Sequence, residues 1–331
     1  MEKENYFFLN KVSFFIFLVL FSFTSFSQNK YNQELQFQHD NDFLSFKKKV
    51  ADRYYSFGLH IDYRKIIKNE SKLYQFSANH INNLQKVIVD WHWGLEGYTS
   101  DKQRDTKVNG VFVAFDRPYA GWHFLSNQIT AVNNKALYYS KITLGVLGPI
   151  SGAENMQNWF HHIINSPEFP EWKNQIQDEI AGNIAAGINY PIIRTNRFDI
   201  HSESELSLGT QATYLKQGFI GRFGIFNTID NSFFYHTNLN NKNEKPKKEL
   251  YLDFGAHAVL WGYKATIQGR FFGENINMKT DGINRLNADV SAGLNFAIYR
   301  FTIFFEHHLI TAETFRERHF YYGSLGVLFK I

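Results

Sequence analysis

The segment LYLDFGAHAVLWG, Leu250 to Gly262, decides the architecture. Leu250, Leu252, Phe254, Ala256, Ala258 and Leu260 fall on one side of an extended chain. Asp253, Gly255 and His257 fall on the other, with Glu249 just before them. Strict period-two alternation of this kind is a strand whose two faces meet different media. The same pattern runs through Tyr54 to Tyr63, where Tyr55, Phe57, Leu59, Ile61 and Tyr63 oppose Tyr54, Ser56, Gly58, His60 and Asp62. It returns in Val87 to Tyr98 and in Leu286 to Ile298. The closing segment sends Tyr321, Leu325, Val327, Phe329 and Ile331 outward. Each run reaches about 9–13 residues, the span of a tilted strand crossing a bilayer, whereas soluble sandwiches use strands of about 5–6. About a dozen such runs, an even number being expected, predict an all-β chain: a transmembrane, outer-membrane antiparallel β-barrel of about 12 strands.

Composition agrees with that reading. Mean hydropathy is −0.35, which excludes a helical membrane protein. Yet 18% of residues are aromatic, with 34 Phe and 18 Tyr, as expected where aromatic girdles line both membrane interfaces. A net charge of +4 is too mild for a nucleic-acid partner. The chain has no Cys, so neither disulfides nor thiol chemistry are available. At the N-terminus, Lys3 and Lys11 flank an apolar run from Val12 to Phe23, and small residues follow at Ser25 and Ser27. This is the pattern of a secretory signal peptide over residues 1–27. A single barrel domain over 28–331 is expected to follow, because no repeat or linker divides the rest. Asn240 to Glu249, rich in Lys and carrying Pro246, reads as a solvated loop.

One segment departs from the alternation. GPISGAENMQNWFHHIINSPEFPEWKNQIQDE, Gly148 to Glu179, reads as a helical insertion near residues 152–178. On it Glu154, Gln157 and His161 are spaced to share one helical face. Imidazole suits general-base work near neutral pH, although a lone helical His is more often structural. His162 points about 100° away and reads as a surface or packing residue. A second cluster, His39-Asp40-Asn41-Asp42-Phe43, offers hard oxygen donors of the kind Ca²⁺ accepts. Its plainer reading is a turn. Asp52-Arg53-Tyr54-Tyr55-Ser56 and Asp116-Arg117-Pro118-Tyr119-Ala120-Gly121-Trp122 complete the set, the latter equally readable as an internal ion pair.

Taken together, Asn41-Asp42, the Asp52 to Gly58 segment, the Asp116 to Trp122 segment, Gly148-Pro149, Gly152, Gln157, His161 and Pro170 with Trp172 resemble the lipid A 3′-O-deacylase family of outer-membrane barrels. The resemblance is strong in the first half and thin after Tyr190. It implies a hydrolase of a Gram-negative outer membrane that acts on lipid A of lipopolysaccharide. The reaction implied is cleavage of the ester holding the 3′ acyl or acyloxyacyl group, assisted by a divalent cation, Ca²⁺ in the family. Carried over by residue, His161 matches the general base and Gln157 a site residue one turn before it. Asn41 and Asp42 match the pair at the centre, with Asp42 the metal candidate, and Ser56 matches a residue whose backbone N–H helps bind the oxyanion. Lys102 stands nearest the family's site lysine, and Arg117 is a further substrate-binding candidate. Pro167, with Glu168 beside it, falls where the family has an acidic residue. Two other readings remain: a phospholipase-like barrel with a Ser nucleophile, and a non-catalytic porin or adhesion barrel.

Overall fold

The computed structural model describes residues 31–45, 53–101, 106–108, 111–113, 116–240, 248–273 and 282–331, with only the backbone course for 106–108 and 111–113. The expected signal peptide and Lys102 lie outside the described residues. Twelve strands close into one antiparallel barrel. They are β1 (Gln33–Asn41), β2 (Tyr54–Ile66), β3 (Leu84–Thr99), β4 (Ala120–Asn133), β5 (Leu137–Leu147) and β6 (Glu179–Arg194), then β7 (Phe198–Gly209), β8 (Ala212–Ile225), β9 (Glu249–Lys264), β10 (Leu286–Ile298), β11 (Phe301–Ile310) and β12 (Phe320–Lys330). Each pairs with its chain neighbours, and β1 closes on β12 from Glu34↔Lys330 to Asn41↔Gly323. Closure leaves no open sheet edge, which is the condition for strands to cross a bilayer. A short hairpin, Thr106–Val108 with Val111–Val113, sits in the β3–β4 connection without interrupting that pairing.

The alternation seen in the sequence becomes an inside and an outside. Leu250, Leu252, Phe254, Leu260, Leu286, Val290, Leu294 and Phe296 are exposed on the outer face, where lipid replaces water. Tyr251 and Asp253, which alternate with them on β9, are buried in the lumen, as are Asp199, His201 and Glu205 of β7. Charges inside are paired, as burial demands. Arg64 reaches Glu34, Asp62 and Asp90 at 2.8–3.0 Å, and Arg222 holds Asp199 with two N–H donors at 3.0 and 2.6 Å. Side chains and loops close both rims. At the rim carrying the termini, Ile229 and Tyr235 pack on Val132 and Leu137, and Leu239 on Ile66 and Ile88.

Sequence and structure differ at three places. Tyr55 was expected outside with Phe57, but an extra residue, Ser56, forms a bulge in the β2–β3 register. A bulge reverses side-chain parity, so Tyr55 turns inward and donates to Asp40 Oδ2 at 2.8 Å. The insertion is helical over only part of its expected span: α2 covers Ala153–Ile163, preceded by a 3-10 turn at Pro149–Ser151 and followed by another at Pro170–Asn174. Pro167 and Pro170 lack the N–H that a continuing helix needs. The third difference is a helix the alternation hid, α1 (Lys72–His80), capped by Ser71 Oγ, which accepts the Tyr74 N–H at 3.2 Å.

Candidate active site

The site is assembled on the outer wall at the rim opposite the termini. Asn41 faces Phe57 across β1–β2, Phe57 faces Gly97 across β2–β3, and Gly97 faces Gly121 across β3–β4. Directly opposed residues share a sheet face, so these four form one row on the outside. The two glycines make room above it. The Phe57 ring lies over Gly97, where a Cβ would stand 2.7 Å from Cδ1. A Cβ on Gly121 would stand 2.7 Å from Ala153 Cβ, so the start of α2 rests on bare backbone. Gly148, whose N–H donates to Gly121 O at 3.0 Å, takes φ +84 and could carry no Cβ beside the Gln177–Asp178 peptide.

On α2 the buried line is Ala153, Gln157 and His161, at i, i+4 and i+8. Glu154, expected on that face, lies at its flank and accepts from Gln175 Nε2 at 3.2 Å. His162 is exposed. Phe57, Leu95, Tyr119, Ala153, Phe169 and Trp172 form the apolar packing between helix and wall, with Trp93 and Met156 against it. Trp172 is fully buried, and its Nε1–H donates to Gln157 Oε1 at 2.6 Å. His161 is 3% exposed. Its ring lies 5.1 Å from that of Phe169, and its Nδ1 is 2.6 Å from Pro167 O. A carbonyl oxygen only accepts, so Nδ1 carries the hydrogen and Nε2 is the basic nitrogen. Pro167 therefore orients the imidazole through its carbonyl.

The Asp40-Asn41-Asp42 cluster is divided by the wall. Asp40 points into the lumen, toward Tyr55 and His60. Asn41 stays on the outer row and caps a 3-10 turn, Asp42–Leu44, accepting the Phe43 N–H at 2.8 Å. Asp42 is buried within that turn, with the Arg53 N–H donating to its Oδ2 at 3.4 Å. Asn41 thus shares the outer row with Phe57, and the helix that carries Gln157 and His161 packs on that row through Ala153, while Ser56 stands beside Phe57 and Asp42 beside Asn41. Ser56, skipped in the β2–β3 register, pairs its Oγ with Thr99 Oγ1 at 2.7 Å. That hydroxyl is engaged by Thr99 rather than by an imidazole, which is not how a Ser nucleophile is set up. Two residues earlier, Tyr54 adopts φ 68, a left-handed conformation that costs an aromatic residue about 1–3 kcal/mol. Its hydroxyl donates to Asp116 Oδ2 and accepts the Arg318 N–H, both at 3.0 Å.

Arg117 does not join this group. It is buried on the lumen side over the Tyr98 ring, with Nη1 at 3.1 Å from Glu313 and 3.4 Å from Glu317. It does form an internal ion pair, but with Glu313 and Glu317 and not with its motif neighbour Asp116, whose carboxylate accepts from the Tyr54 hydroxyl and the Asp101 and Arg117 backbone N–H groups; a lipid on the outer wall has no access to it. The donor chemistry near Asn41 and Asp42 is hard oxygen, suited to Ca²⁺ or Mg²⁺. Among the described residues no group of three or more His, Cys, Asp or Glu side chains is placed to hold a metal ion. A cation there would complete its shell with backbone carbonyls, water and substrate oxygens.

The closed barrel, its apolar exterior and its charged interior define an outer-membrane β-barrel, here with a polar site on its outer wall. The family model for outer membrane protein LpxR matches residues 14–331. The chain belongs to that family. Among solved structures it is similar to LpxR from Salmonella typhimurium, at 18% identity and a TM-score of 0.72 over 90% of this chain and 100% of that one. The β domain of the Bordetella autotransporter BrkA is a more distant likeness, at 8% identity and a TM-score of 0.41 over 91% and 99% of the two chains. No curated protein sequence matches significantly.

Proposed function

We propose that this protein is a lipid A 3′-O-deacylase, a hydrolase that removes the 3′-linked acyl or acyloxyacyl group. Family membership supports a lipid A deacylase, and one observation carries the chemistry: the His161 imidazole is buried between α2 and the outer wall with its Nδ1–H held by Pro167 O. An ester in the surrounding leaflet reaches such a seam sideways, with its acyl chain still in lipid.

His161 Nε2 takes a proton from water, and the hydroxide attacks the ester carbonyl. The collapsing intermediate expels the sugar alkoxide, which regains the proton from the imidazolium. The negative charge on the carbonyl oxygen falls beside the bulge at Ser56, whose backbone N–H is the proposed oxyanion donor, because a bulged residue stands outside the ladder. Gln157, braced by Trp172, orients the water or the ester. Asp42, with Asn41, would hold the divalent cation, which when bound polarises the ester carbonyl. Lipid A from cells carrying the intact gene or the His161→Ala form tests the reading by mass spectrometry. Loss of one acyl or acyloxyacyl mass only with the intact protein is expected, and identical spectra would overturn it.

A further inference from the structure

A different part of the outer surface carries its own arrangement of groups. At the rim bearing the termini, Tyr138, Tyr190, Phe198, Phe223 and Tyr299 are exposed on the outer face, each near a strand end, as an interfacial aromatic girdle requires. Tyr138 of β5 stands opposite Ala131 of β4, and Ala131 opposite Val87 of β3. At this height, then, the girdle residue gives way to two small side chains. Val87 shares its face with the exposed Trp91, yet Val87 is fully buried, and so nearly is Ala131. The cover is α1. It packs against β3, and Tyr74 Oη donates to Leu84 O at 3.2 Å. The helix thus lies on the outer wall within the girdle and leaves Phe76 64% exposed.

Around it stand Lys65, Lys68 and Lys72, all exposed, and none forms an ion pair among the described residues. Glu70 is the one acidic side chain within this segment. Three cations against one carboxylate, and a bare Phe at the height of a girdle, match the boundary of a bilayer, where apolar side chains enter the acyl region and ammonium groups meet phosphate.

We propose that α1, with Lys65, Lys68 and Lys72, is a docking surface for anionic phospholipid headgroups in the leaflet opposite the α2 site. The proposal rests on the barrel's membrane location and not on the deacylase reading. Each lysine near an anionic surface contributes about 1 kcal/mol. Because the chain has no Cys, Gln75→Cys gives a unique attachment point for a nitroxide beside Phe76. In phosphatidylcholine vesicles with 30% phosphatidylglycerol (a proportion on the order of natural anionic surfaces), the nitroxide should favour oxygen over a water-soluble nickel chelate as a relaxant, as a headgroup-level probe does. Native mass spectrometry of the detergent-purified barrel should show retained phosphatidylglycerol falling at least about fivefold in the Lys65→Gln/Lys68→Gln/Lys72→Gln variant, which is what losing the contribution of even one of these lysines, about 1 kcal/mol, would produce. Heat-modifiable gel mobility checks that this variant is folded. A nitroxide as open to the chelate as one on an aqueous loop, or unchanged lipid retention in the folded variant, would overturn the proposal.

Discussion

At the residue scale the account turns on which imidazole does what. Two adjacent histidines occupy one helix, and only His161 is buried against the wall with its tautomer set by a carbonyl. His161→Ala is expected to cut deacylation about 10²–10⁴-fold, the usual worth of a general base, while His162→Ala leaves the rate within about twofold; single-turnover assays on lipid A in micelles check both. Trp172→Phe removes a buried donor to Gln157 Oε1. Leaving that oxygen buried without its partner costs about 1–3 kcal/mol, so this variant should raise KM or lower kcat without unfolding the barrel. A chelator should reduce the rate of the intact protein, and Asp42→Asn should abolish both most of the rate and the response to added Ca²⁺. Much of this is legible in the sequence, since i, i+4 spacing puts Gln157 and His161 on one helical face, the face that is buried. The Pro167 carbonyl is not, because a backbone acceptor has no sequence signature. Nor is the sequestered position of Arg117, whose partners Glu313 and Glu317 lie some two hundred residues away along the chain.

At the scale of elements, the helix is seated by what the wall lacks. Gly97 and Gly121 face each other on β3 and β4, and the Phe57 ring and the start of α2 occupy the space above them. Gly121→Val puts side-chain atoms where Ser151 and Ala153 lie. It should lift α2 from the wall and remove activity while the folded barrel retains its heat-modifiable mobility. Alternation predicted the strands because polar lumen and apolar lipid impose a period of two on every crossing. It failed where a single residue broke that period, at Ser56, and it did not see α1, whose nine residues are too few to stand out among long strands.

At the scale of the molecule, the barrel is closed by charges brought together from distant loops. Arg117 and Lys264 meet Glu313, and Glu317 stands beside them. Burial, partly offset by Arg117 and reinforced by Glu313, pushes Glu317 up to about 7. Its folded value is thus above the ordinary value of about 4.3. The folded state then binds a proton that the unfolded chain releases, so this contribution is full below about pH 4.3 and is lost as pH rises through about 7. The thermal midpoint of the barrel should fall across that window, and Glu317→Gln should flatten the fall.

The central claim is that water activated by His161 cleaves an ester reached from the membrane side of the wall. Purified intact protein, His161→Ala and His162→Ala, each given lipid A in micelles and followed by mass spectrometry, test it most directly. The account predicts loss of the 3′ acyl or acyloxyacyl mass with the intact protein and His162→Ala, and an unaltered substrate with His161→Ala. Equal cleavage by His161→Ala would contradict it.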